Sequence, residues 1–215
     1  MSKPISAEDF SNQITNDRTW RIKEISDLKA EILRSDKNLQ RVLLRAIVAV
    51  CYAHWEGFVR FSARKYLEHI ALRRLQYSEL SPQFLKNYFL PKLAALSKTK
   101  SSITQRCDLL DDIFSSSGRR FSKLNEDLIN TKSNLNYDVL CDICLVCDVD
   151  CDVFERFHTF IDVVLLKRRN AIAHGEDTMV GLEDLSEVAD NTIAIMRMFG
   201  DALENDVVLK NYVAA

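Results

Sequence analysis

The stretch that most limits how this chain can fold is VLLRAIVAVCYA, Val42 to Ala53. It is apolar nearly all round, so a helix formed there has to be surrounded by other helices. Asp36 has the side chain of an N-cap for a helix running from there to about Leu75. The rest of the chain suits that reading. It has 5 Gly and 3 Pro in 215 residues, which favours long helices over tight turns. Ile5 to Arg34 carry Phe10, Ile14, Ile22, Ile25, Leu28 and Ile32 at mostly helical spacing, giving one or two amphipathic helices. Ser81-Pro82 opens a short helix that Pro91 is expected to interrupt. Residues 97–120 contain SKTKSSIT and SSSGRR and read as a mobile loop region. Asn136 to Cys147 form a helix, Asp152 caps the next, and Leu182 to about Leu209 form the last. No alternating strand pattern occurs. The expectation is one all-α domain over residues 1–215, a helical bundle with long central helices.

Charge and cysteine usage narrow the function classes. No run approaches the roughly 18 apolar residues of a membrane span, and the start, MSKPISAEDF, lacks the apolar core of a secretory signal. These point to a cytoplasmic protein in a reducing compartment with no membrane partner. The formal net charge is −2, so contact with RNA or DNA has to come from a local patch. Cys141, Cys144, Cys147 and Cys151 are spaced C-x2-C-x2-C-x3-C, as in a bacterial ferredoxin run. The intervening Ile143, Leu145, Val146 and Val149 are bulky, and Asp152 stands where proline normally follows. The spacing also puts these cysteines on one helix face. The structural reading is therefore a buried stripe of small hydrophobes, with thiol redox chemistry or a metal site as the less favoured alternatives.

Polar residues on the long helix need partners. At 100° per residue Arg45, Tyr52 and Glu56 fall within about 40° of one another, and Arg60 lies one turn past Glu56. Either Glu56 pairs with Arg60 at the surface, or it meets another arginine in a partly buried site. Gly57, unfavourable in mid-helix, suggests close approach of another backbone. His54 reads as packing or solvent-facing, and His69 and His158 as single histidines on helix surfaces.

The segment KRRNAIAHGE, Lys167 to Glu176, concentrates the chemistry. Gly175 is the natural left-handed residue for closing a helix, which leaves His174 at its end. Asn170 and His174 are four apart and stack on one face. Arg169 offers a forked donor matched to phosphate oxygens, and Lys167 and Arg168 stand beside it. Histidine is the usual proton-transfer residue near neutral pH. The set suits a phosphodiester, although a basic helix end with an incidental histidine would read the same.

Arg169-Asn170-x3-His174 resembles the R-N-x3-H signature of the HEPN superfamily. The AHWEGF segment, Ala53 to Phe58, is similar to its prokaryotic RiboL-PSP-type branch. The resemblance covers about Asp36 to Leu203. It implies an all-α HEPN-like bundle acting as a metal-independent endoribonuclease without cofactor. It also implies a homodimer in which two motifs face each other across a two-fold cleft. Arg169, Asn170 and His174 would be catalytic, Lys167 and Arg168 RNA-binding, and Glu56 and Arg60 supporting, with Glu56 holding Arg169. The implied context is phage defence or the toxin of a toxin–antitoxin pair, with RNA and an antitoxin or sensor protein as partners. The competing expectation is a HEPN module that binds RNA, a nucleotide or a protein without cutting.

Overall fold

The computed structural model describes residues 3–98 and 101–214, so Thr99 and Lys100 of the SKTKSSIT stretch lie outside the described residues. Three long helices make the centre: α1 (Ala7–Arg34), α2 (Lys37–Arg73) and α7 (Asp184–Leu209). A capping box between Ser6 and Asp9 starts α1. Asp36 caps α2, its side chain accepting from the amides of Asn38 and Leu39. Phe10, Ile14, Ile25 and Ile32 turn inward from α1. Phe199 of α7 sits edge-on against Trp55 of α2, with ring centroids 6.3 Å apart. Ion pairs Arg18–Asp201 and Lys29–Asp190 join α1 to α7 on the outside.

The apolarity of α2 follows from this placement. By length and composition it could cross a membrane, with mean hydropathy 1.4 over its most apolar window, yet half of that window is buried by its neighbours. A core helix meets the same criterion. Gly57 on it does allow a close approach, but by a side chain and not a backbone. A Cβ there would lie 2.7 Å from Nη1 of Arg21.

The periphery departs from expectation in several places. Helix α3 (Pro82–Lys98) continues past Pro91, and where the sequence suggests loop, Ser102 caps a helix α4 (Ile103–Ser115). Asn136 caps α5 (Tyr137–Cys147) as expected. Beyond α5 the chain turns at Asp148 in the left-handed region. Asp152 is not the cap of a long α-helix. It opens a 3-10 turn (Asp152–Phe157) that leads into a π-helical segment (Phe160–Lys167) and then α6 (Arg168–Ala173). No strand occurs among the described residues, only two isolated bridges, Gln76–Arg120 and Leu80–Val213.

The cysteine stripe is only half of what the spacing suggests. Cys144 and Cys147 are buried on α5, where burial pushes the Cys144 thiol up to about 12. Cys141 and Cys151 instead form a disulfide, because the turn after α5 brings Cys151 back within 5.3 Å of Cys141, Cα to Cα. His69 is no surface residue either. It is buried, and its Nδ1 lies 2.9 Å from the Pro4 carbonyl. His54 is buried against Trp20, 3.1 Å from Glu24.

Candidate functional site

The Lys167–Glu176 segment ends its helix as its residues dictate. His174 is the C-cap, and Gly175 adopts φ +79. The Glu176 amide donates to the Ala171 carbonyl at 2.9 Å, and the Gly175 amide donates to Ile172 at 3.1 Å. Together they make a Schellman closure, which satisfies the last carbonyls and leaves the His174 side chain in solvent. The loop beyond Gly175 is pinned to α2. Arg45 donates to the carbonyls of Glu176 (2.9 Å) and Thr178 (3.2 Å), and Arg41 pairs with Asp177 at 3.0 Å. The polar stripe of α2 therefore begins with a clamp on the segment just past His174.

Arg169 is held in place from two sides. Its guanidinium lies 3.8 Å above the Tyr52 ring of α2, and its Nη2 donates to the Ser133 carbonyl at 3.0 Å. Tyr52 also accepts the Leu135 amide at 2.7 Å, so one phenol supports both the arginine and the loop above it. Burial pushes that phenol's pKa up. Asn170 donates to the Asn134 side chain at 3.2 Å. Ser133 and Asn134 belong to the loop Asn130–Asn136, where Lys132 and Ser133 both take positive φ (53° and 58°). Two successive non-glycine residues in the left-handed region are costly, and such strain is found where a loop has a positioning task.

The remaining expected site residues divide. Glu56 does not pair with Arg60 and does not grip Arg169. It accepts a hydrogen bond from Thr131, at the base of the same loop. It shares with Arg169, Tyr52, Gly57, Ser133 and Arg60 an open cleft of about 520 Å³. Arg60 is exposed between that cleft and a neighbouring one of about 440 Å³. Lys167 is exposed, whereas Arg168 turns inward to lie 3.1 Å from Asp184 at the start of α7. Arg168 thus braces two helices. Among the described residues no three of His, Cys, Asp or Glu converge as a metal-binding group. Sequence reasoning missed Tyr52 as the arginine's platform, the Ser133–Asn134 contacts and the Arg45 clamp. The only signal available was the shared helical phase of Arg45, Tyr52 and Glu56.

The family model described as RiboL-PSP-HEPN matches residues 16–205. The chain belongs to the RiboL-PSP-HEPN family. Comparison with curated proteins and with solved structures finds no match. The matched span takes in the greater part of α1 as well as α2, the 130–136 loop, the motif and most of α7. Membership of the RiboL-PSP-HEPN family makes the chain, in general terms, a nuclease or RNA-binding module, and HEPN domains often bind RNA and dimerise.

Proposed function

We propose that this protein is a metal-independent endoribonuclease that cleaves RNA by attack of a ribose 2′-OH on the adjacent phosphate. The observation that carries the reading is the end of α6. His174 is presented to solvent by a Schellman turn, while Arg169 and Asn170 are fixed beside it by Tyr52, Ser133 and Asn134. One histidine cannot be base and acid at the same moment, and each chain offers one such motif. A two-fold dimer supplies the second. Leu39 and Val42 near the start of α2 and Met179 in the pinned loop are exposed apolar residues.

In that dimer one His174 takes the 2′-OH proton and the other protonates the departing 5′-oxygen. Arg169 offsets charge on the non-bridging oxygens, and Asn170 orients the phosphate. The products are a 2′,3′-cyclic phosphate and a 5′-OH end. A role as a toxin or in phage defence, in the cytoplasm and with an antitoxin or sensor as partner, belongs to the same proposal. The test is incubation of RNA in EDTA with wild type and His174→Ala, followed by mapping of the ends. General acid–base catalysis is worth about 10²–10⁴, so cleavage should fall by at least that margin while the fold is kept. Undiminished cleavage by a clean His174→Ala preparation would sink the proposal.

With one Arg169 donor already given to the Ser133 carbonyl, less of that guanidinium is free for the charge that builds on the phosphate during cleavage, which favours a second reading as a module that binds RNA without cutting. RNA retention that needs Lys167 and Arg169, has a shallow salt slope and yields no products in the same experiment would select it.

A further inference from the structure

A further concavity, apart from the two clefts beside Arg60, shares no lining residue with the motif. It lies between α2, α3 and residues 121–128 and has a volume of about 280 Å³. Its walls are Leu67, Tyr77, Pro91, Phe121, Leu124 and Leu128. The rings of Tyr77 and Phe121 stand 6.0 Å apart, and Tyr77 and Tyr88 stand 5.5 Å apart, forming a continuous aromatic side. A space of this size falls just short of the usual small-molecule pocket, roughly 300–1,000 Å³. It takes one ring system and leaves any substituent at the mouth.

The mouth has the opposite character. Lys92 and Arg119 both donate to the Tyr88 hydroxyl, at 3.1 and 3.0 Å. They share a single carboxylate, Asp112. Lys123 lines the opening, is exposed and makes no ion pair among the described residues. Asn125 spends its oxygen on the Asp127 amide, leaving its NH₂ as a donor. Two lysines, Lys92 and Lys123, therefore line the cavity, and Arg119 adds a third cation behind the Tyr88 hydroxyl, against the one carboxylate of Asp112. At the rim the hydrogen bond from Lys92 is the largest influence on the Tyr88 phenol and, with that from Arg119 and against the opposing effect of burial, lowers its pKa. Deeper in, burial pushes Tyr77 up to about 12. The interior disfavours charge and the mouth favours an anion.

We propose that this cavity binds a small aromatic phosphate monoester of the nucleoside monophosphate class, with the planar ring inside and the phosphate at the mouth. The ring lies against Tyr77 and Phe121, and the anionic group sits at Lys123 and Lys92. Stacking on aromatic faces suits any base, because each has a π-face. The site does not depend on the ribonuclease reading, since it shares no residue with Arg169 or His174.

The experiment is ligand-observed saturation-transfer NMR and calorimetry, with AMP and phenyl phosphate as probes and adenosine and inorganic phosphate as controls. Wild type should bind at least one aromatic phosphate, with saturation strongest on the ring protons. Adenosine and inorganic phosphate should each bind about tenfold or more weakly, a margin of about 1.4 kcal/mol. Leu124→Trp fills the cavity and should abolish binding. Lys123→Glu, at an exposed position that spares the fold, should weaken it about tenfold. Arg169→Ala should leave it unchanged. The proposal is overturned if neither probe binds, or if inorganic phosphate binds as well as the aromatic probes. It is equally overturned if binding survives Lys123→Glu but is lost with Arg169→Ala, which would assign the phosphate to the motif.

Discussion

Tyr52 joins two groups that the sequence keeps far apart, the Arg169 guanidinium on its face and the Leu135 amide on its hydroxyl. The two contacts separate by mutation. Tyr52→Phe keeps the ring and strands a buried amide, an effect of about 1–3 kcal/mol. It should lower the melting temperature more than the RNA cleavage rate. Tyr52→Leu removes the cation–π contact as well, worth about 0.5–2 kcal/mol. It should slow cleavage by about tenfold beyond the Phe variant. Equal rates for the two variants would show that the ring does not position Arg169. Gly175 is a simpler case. At φ +79 an alanine costs about 1–2 kcal/mol, so Gly175→Ala should destabilise the domain by that amount in a urea melt and loosen the presentation of His174. The motif residues were legible because spacing and chemistry agree there. Tyr52 was not, because nothing in one helix's sequence says which distant arginine will cover it.

Between α5 and α6 the element boundaries were the least legible. Periodicity sees apolar residues from Phe154 to Leu166 and reads one helix, while the structure divides them among a 3-10 turn, a π-helical segment and α6. The hydrophobic pattern says which residues are buried, not how tightly the backbone winds. The π segment ends one residue before the Arg168–Ala173 helix, and such segments often occur at functional sites because they shift the phase of the next turns. Here those turns carry the motif. The cysteines failed for a related reason. Three- and four-residue spacing predicts a stripe only while the helix lasts, and α5 stops at Cys147. The Cys141–Cys151 bridge closes a short loop, with a sequence separation of 10, for which chain entropy gives about 2–3 kcal/mol. A thiol reductant should therefore lower the melting temperature of the oxidised wild type. Cys141→Ser should start lower and show no response to reductant, and a reductant-sensitive Cys141→Ser melt would contradict the pairing.

For the whole molecule, the all-α bundle was legible because a helix apolar on every side has few ways to be satisfied. The two buried histidines were less legible, His69 reading as a surface residue and His54 as either packing or solvent-facing, because their partners come from elsewhere, Glu24 and Trp20 for His54 and the Pro4 carbonyl for His69. Burial is the largest influence on both and lowers their pKa values. The unfolded chain then binds protons more readily than the native one, so stability is full above the ordinary histidine value of about 6.5 and falls as pH drops below it toward the lowered native values. Buried Asp206, whose carboxyl is pushed up, acts in the opposite sense at lower pH. Melting temperatures between about pH 7.5 and about pH 5.5 should decline in wild type and decline less in His54→Gln and His69→Gln. The assembly itself can be tested through its stoichiometry. If each active cleft needs one His174 as base and another as acid, a dimer with one His174→Ala subunit is dead in both directions. After wild type and His174→Ala have exchanged subunits freely, cleavage should fall as the square of the wild-type fraction. A linear fall would mean that each chain carries a complete site, and the two-fold cleft would have to be abandoned while the ribonuclease reading stood.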